Sequence, residues 1–197
     1  KREMVRNAIT EQGAMTDELS AKLEAAMTQT EIEDIYRPYR PKRRTRASIA
    51  KEKGLAPLAE YIFGQAFLVP LEEYAAAFVD AEKGVESVAD AINGAKDILA
   101  EQFSDDADLR KMLREETMKF GQLVTKAAKE QTEPTVYEMY YDYSEPLQKA
   151  AGHRILAVNR GEKEGILTVK LEGDEERLLQ KLERKLIRKN SPAVELL

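Results

Sequence analysis

The chain has 197 residues, 43% of them hydrophobic, with 31 Lys and Arg against 36 Asp and Glu, one histidine, no cysteine and a formal net charge of −5. That length buries one good-sized core or two small ones. The lack of cysteine excludes disulfides, thiolate metal sites and thiol catalysis and accords with a reducing, cytoplasmic compartment. The longest apolar stretch, Tyr61 to Leu71, is interrupted by Gly64, Gln65 and Pro70, so it reads as core and not as a membrane span.

Apolar residues recur at helical spacing between Met4 and Met27, with a break at EQGAMTD, which predicts a helix pair with Thr16 capping the second helix. Thr30 and Glu33 have the spacing of a capping box for a third short helix. Pro38 and Pro41 require that helix to stop near Tyr36 and predict a rigid extended loop from Arg37 onward. Helical pattern resumes at Ser48 and ends at Gly54, a good C-cap, with Pro57 placed to open the next helix.

The stretches EEYAAAFV, VESVADAINGAKDILAEQF and DDADLRKMLREETMKFGQLVTKAA then predict a run of amphipathic helices. Gly94 inside the second of them suggests a close helix crossing. After a linker at KEQTEP the texture changes. TVYEMYYDYSEPL holds four of the eight tyrosines and is expected to pack under a loop. HRILAVNRG reads as strand or short helix, and Ile166 to Leu171 alternates as a strand that needs a partner, conceivably outside this chain. DEERLLQKLERKLIRKN predicts an amphipathic helix with Leu178, Leu179, Leu182, Leu186 and Ile187 on one face. Ser191 and Pro192 resemble another helix start. With a helix-like opening and this ending, the chain reads as a piece of a longer protein.

The fold expectation is mainly α: a multi-helix array with helix-turn-helix-like elements and one short β-strand or hairpin near the C-terminal end. The expected domains are a helical one over 1–135 and a linker, strand and helix segment over 136–197.

The inventory for catalysis is poor, since no phosphate-cradling glycine pattern and no histidine pair at metal-ligand spacing occurs; no metal and no cofactor is expected. Carboxylate pairs such as Asp105 with Asp106 and Glu115 with Glu116 read as solvated helix starts and faces. The segment Arg37–Arg46 stands out, with Arg37, Arg40, Lys42, Arg43, Arg44 and Arg46 and no acid, leaving −11 on the rest of the chain. Flanked by Tyr36 and Tyr39, these side chains suit phosphate contacts and base stacking, with low sequence specificity because no recognition helix is evident. The competing reading has the same cations paired with carboxylates of the protein. His153, Arg154, Arg160 and Lys163 form a candidate secondary basic site, or an ordinary surface turn.

EIEDIYRPYRPKRRTRASIAKEKGLAPLAEYIF, followed in order by FVDAEKGVESVADAINGAKDILAEQF, YYDYSEPL and HRILAVNRGEKEGIL, resembles the bacterial transcription accessory family Tex over roughly Ala8 to Leu171. The family's basic word falls on Tyr36, Pro38, Tyr39, Pro41, Lys42, Arg43, Arg44 and Thr45. Where the family usually has Pro-Ser before its His-Arg pair, this chain has Ala151 and Gly152, which implies a looser helix entry. The resemblance implies a multidomain protein whose RNase-H-like domain, helix-hairpin-helix modules and RNA-binding OB-fold lie outside this chain. It also implies a non-catalytic role in nucleic-acid binding and scaffolding, with RNA or DNA, the remaining domains and the transcription machinery as partners and no membrane. The alternative is a protein-interaction or interdomain module that binds no nucleic acid itself.

Overall fold

A computed structural model describes residues 1–128, 135–194 and 196; the linker KEQTEP lies outside the described residues. The chain divides into two compact units, residues 1–111 with 182–197, and residues 112–181. Among the described residues there are ten α-helices and one three-stranded sheet.

In the first unit, α1 (Arg2–Glu11), α2 (Asp17–Ala25) and α3 (Gln29–Tyr36) enclose a small apolar cluster of Val5, Ile9, Leu23, Ala26, Ile32 and Ile35. Thr16 caps α2 as expected, its hydroxyl accepting from the Leu19 N–H at 3.1 Å. The capping box of α3 is Thr28 with Glu31, two residues earlier than the Thr30 and Glu33 expected. Both pairs have the required spacing, and the chain uses the one that lets α3 gain another half turn.

Tyr36 ends α3, but the following residues are not extended from the start. Arg37–Tyr39 forms one 3-10 turn with Pro38 at its beginning, a place where the missing proline N–H costs nothing, and the backbone extends only at Arg40. Helix α4 (Arg46–Glu52) then starts with a reciprocal cap between Thr45 and Ser48. It ends before Gly54, whose φ of 83° is the left-handed conformation that glycine tolerates.

The larger core gathers α4, α5 (Ala56–Gly64) and α6 (Leu71–Ala76) on the 18-residue α7 (Val88–Asp105), burying Leu55, Leu58, Ile62, Ala91, Ala95 and Ile98 among others. Gly94 is the close crossing anticipated: a Cβ there would stand 2.4 Å from a Leu55 methyl carbon. The 61–71 stretch is core only in part. Ile62 and Leu71 are buried, whereas Phe63 on the outer side of α5, Val69 and especially Leu68, 93% exposed, face solvent; Gln65 turns the chain after α5 with a left-handed φ of 54°. Gln65 is itself buried. Its amide donates to the Leu186 carbonyl at 2.6 Å and accepts from the Arg188 N–H at 2.8 Å, securing the C-terminal segment. Ala193 is fully buried in this core, and Ser191 accepts from the Ala193 N–H in a turn, where a helix start was expected.

The second unit corrects the longest helix reading. Helix α8 (Ala107–Phe120) stops at Gly121, and Gln122–Ala127 is strand β1. A Cβ on residue 121 would lie 2.4 Å from the Thr117 carbonyl and 2.8 Å from that of Glu172, so only glycine permits this helix-to-strand turn. Leu123 and Thr125 point inward in strand alternation and are buried. β1 is the central strand between β2 (Asp142–Pro146) and β3 (Leu167–Glu172), antiparallel to both, with Leu123 opposite Glu145 and Leu171. The predicted strand thus finds its partner inside this chain.

HRILAVNRG belongs to α9 (Gly152–Lys163), which starts at Ala151 without a side-chain cap. Buried Gly161 admits the Leu167 side chain close to the α9 backbone. Tyr137 and Tyr140 are buried core residues, packed with Leu123, Val158 and Leu167. The final helix α10 (Glu175–Leu186) forms as expected, yet none of its residues is fully buried.

Candidate nucleic-acid interface

The basic segment is held between two fixed points, the end of α3 and the start of α4, and Asp105 at the last position of α7 reaches it. Arg37 donates through Nε to Asp105 Oδ1 at 2.8 Å, and Lys42 donates to the other oxygen of the same carboxylate. Glu101, one turn earlier, stands 3.5 Å from the Lys42 ammonium. The Asp105 side chain is only 9% exposed, against 47% for Arg37 and 31% for Lys42. A carboxylate so enclosed requires its cations, since an unpaired buried charge is costly.

Arg44 makes an ion pair with Glu52 at 3.1 Å, with both side chains more than 60% exposed. Such a pair is worth little and exchanges readily with solvent ions. Arg40, Arg43 and Arg46 are exposed and make no side-chain hydrogen bond or ion pair among the described residues. Arg40 faces a cleft of about 530 Å³ that also contains Thr30, Glu33, Ser104 and Arg110. Arg46, the first residue of α4, lies at the groove between α4 and α7 with Lys53, Asp90 and Asp97. Tyr36 and Tyr39 are half-buried against the α1–α3 cluster, and the Tyr39 carbonyl accepts from the Gln12 amide at 3.0 Å. Their rings are committed to packing in part.

The seam around this segment carries more charge pairs. Arg110 donates to buried Asp34 at 2.7 Å, Lys111 stands 2.9 Å from Glu31, and Lys22 donates to Asp108 at 3.3 Å. Lys111 together with the Met27 and Thr28 N–H groups holds the Glu31 carboxyl down to about 2. Sequence reasoning missed Glu101 and took Asp105 and Glu116 for solvated carboxylates. Asp105 is buried under Arg37 and Lys42, and Glu116 under Lys181 and Arg177, which hold its carboxyl below the usual range. No local signal marks these carboxylates, because their partners lie 61 to 68 residues away.

The secondary basic residues all lie on α9. Arg154 is turned onto β2, making two bonds to Glu145 at 3.0 and 2.6 Å and a third to the Lys149 carbonyl. This clamp lowers the Glu145 carboxyl and raises the Arg154 guanidinium. His153, Arg160 and Lys163 are exposed, and their spacing of seven and three residues aligns them on one helix face.

Among the described residues no group of three or more His, Asp or Glu is placed to hold a metal ion, and no helix is long and apolar enough to cross a membrane. Residues 68–193 match the family model described as Tex central region-like. The chain belongs to the Tex family. This Tex-family chain is 44% identical to the uncharacterized protein YdcI of Bacillus subtilis, over 98% of the chain and 27% of that protein. It is 39% identical to protein tex of Bordetella pertussis over 83% of the chain and 21% of that protein. It is 38% identical to the transcriptional accessory protein Tex of Neisseria gonorrhoeae over 87% of the chain and 22% of that protein. The chain therefore spans about a quarter of the length of these relatives. The Tex-family match continues to residue 193, past Leu171, where the resemblance carried by the quoted motifs ends.

Proposed function

We propose that this chain is a non-catalytic segment of a transcription accessory protein, contributing a nucleic-acid contact through its basic segment and scaffolding the remainder of the longer protein. The observation that carries the reading is the set of exposed guanidinium groups, Arg40, Arg43, Arg44 and Arg46, on a backbone fixed at both ends. Guanidinium groups suit phosphate oxygens, and a fixed backbone reduces the ordering cost of binding. The printed name of the Neisseria gonorrhoeae relative supports the transcriptional setting, with a cytoplasmic location in keeping. RNA and DNA are both admissible ligands, and low sequence specificity follows from backbone contacts without base readout. His153, Arg160 and Lys163 form a secondary basic face, while Arg154 serves the fold through Glu145.

The second reading, an interdomain or protein-interaction module, draws on Arg37 and Lys42 being committed to Asp105. Fluorescence anisotropy with a short single-stranded RNA and a DNA duplex across a salt series separates the two. The proposal requires binding with a log–log salt slope of about −3 to −5, abolished in an Arg43→Glu/Arg44→Glu/Arg46→Glu variant of unchanged circular dichroism. Absence of binding by the wild-type chain at low salt would leave the interdomain reading.

A further inference from the structure

We infer that Asp105 acts as an internal phosphate mimic that sorts the basic segment into two anchor cations, Arg37 and Lys42, and four contact cations, Arg40, Arg43, Arg44 and Arg46. This deepens the nucleic-acid reading and rests on it. Sequence alone treats the six cations as equivalent. The structure does not: Arg37 and Lys42 each take one oxygen of the same enclosed carboxylate. Pro38, Tyr39, Arg40 and Pro41 between them form an arch with both ends tied to one point and the two prolines limiting its backbone, and Arg43, Arg44 and Arg46 follow beyond Lys42, up to the start of α4.

A phosphate approaching Lys42 meets Glu101 as well as Asp105, two carboxylates whose repulsion opposes an added anion. Arg40, Arg43 and Arg46 hold no carboxylate in an ion pair among the described residues, although Arg40 shares its cleft with Glu33 and Arg46 its groove with Asp90 and Asp97. Arg44 has to exchange only Glu52, an exposed partner that salt already screens. Asp105 is thus a positioning residue. Its burial next to the segment fixes where the arch stands and, together with Glu101, engages two of the six positive charges.

The salt dependence of binding counts phosphate contacts and so tests the division directly. Arg43→Gln and Arg46→Gln are each expected to reduce the magnitude of the slope by about 0.7 to 0.9. Arg37→Gln and Lys42→Gln are expected to leave the slope unchanged. Asp105→Asn frees Arg37, leaves Lys42 only the Glu101 carboxylate, and is expected to steepen it. Equal loss of slope in all four cation variants overturns the division.

Limited trypsin digestion provides a readout that needs no nucleic acid. Trypsin does not cut before proline, so Arg37 and Arg40 are silent and new fragments report Lys42 to Arg46. Asp105→Asn, and independently Arg37→Gln, should accelerate cleavage there several-fold at unchanged helical circular dichroism. Equal rates in wild type and both variants refute the anchoring whatever the binding assay shows. If wild type binds nothing but Asp105→Asn and Arg37→Gln are cut faster, the anchoring stands, and both the nucleic-acid reading and the contact assignment are rejected.

Discussion

The helices α4 to α7 and the helices α1 to α3 belong to the same compact unit but are held into it by different forces. α4, α5 and α6 bury a continuous apolar core on α7, close enough at Gly94 that an added Cβ would displace the Leu55 methyl. The α1–α3 trio has its own small cluster, to which Ala107 is the one residue beyond Tyr39 that packs among the described residues. Charge pairs add to its attachment: Asp34 with Arg110, Glu31 with Lys111, Lys22 with Asp108, and Arg37 and Lys42 with Asp105. Apolar burial is insensitive to moderate salt, whereas partly exposed ion pairs are screened over about 8 Å at physiological ionic strength. The basic segment therefore sits at a joint of the unit that is rich in ion pairs.

The sharpest break is expected in the apolar region. Leu58→Ala removes a fully buried side chain and should cost about 2–5 kcal/mol in urea unfolding, with the same loss at low and high salt. Asp34→Ala, which strips the Arg110 guanidinium of an enclosed partner, should cost about 1–3 kcal/mol at low salt and less in concentrated salt. If the two losses respond equally to salt, the contrast between the regions is lost.

Glu31 sharpens the comparison through pH. Its carboxyl is lowered from 4.5 to about 2, so its stabilisation is complete above pH 4.5 and is lost as the pH falls from 4.5 through 2. The gap in urea midpoint between wild type and Glu31→Gln should be constant at neutral pH and close across that window; a gap that persists at pH 2 contradicts the pairing. The smallest effect is expected for Arg44→Ala. Its exposed pair with Glu52 should contribute no more than about 0.5 kcal/mol.

Local chemistry made much of the fold legible. Prolines 38 and 57, Gly54, Thr16 and the amphipathic periodicity placed most helix boundaries, and strict alternation placed β3 within one residue. The failures share a cause. GQLVTKAA continues the helical pattern of the residues before it, and only the contact of Gly121 with the Glu172 carbonyl, together with pairing to β2 and β3, makes it a strand. Thr28 and Thr30 offer the same capping-box spacing, so local sequence does not choose between them.

The sequence by itself determined that the protein is mainly helical, that its positive charge is concentrated in Arg37–Arg46, and that its family is Tex. Spacing, composition and long ordered motifs are properties of neighbouring residues and need no three-dimensional knowledge. Only the tertiary structure decided the partner of the lone predicted strand and which carboxylates are enclosed. It also decided which of six similar cations are committed to Asp105. Those outcomes depend on contacts between residues 61 to 68 positions apart for the ion pairs, and on burial that strengthens a charge pair only after the chain has closed around it.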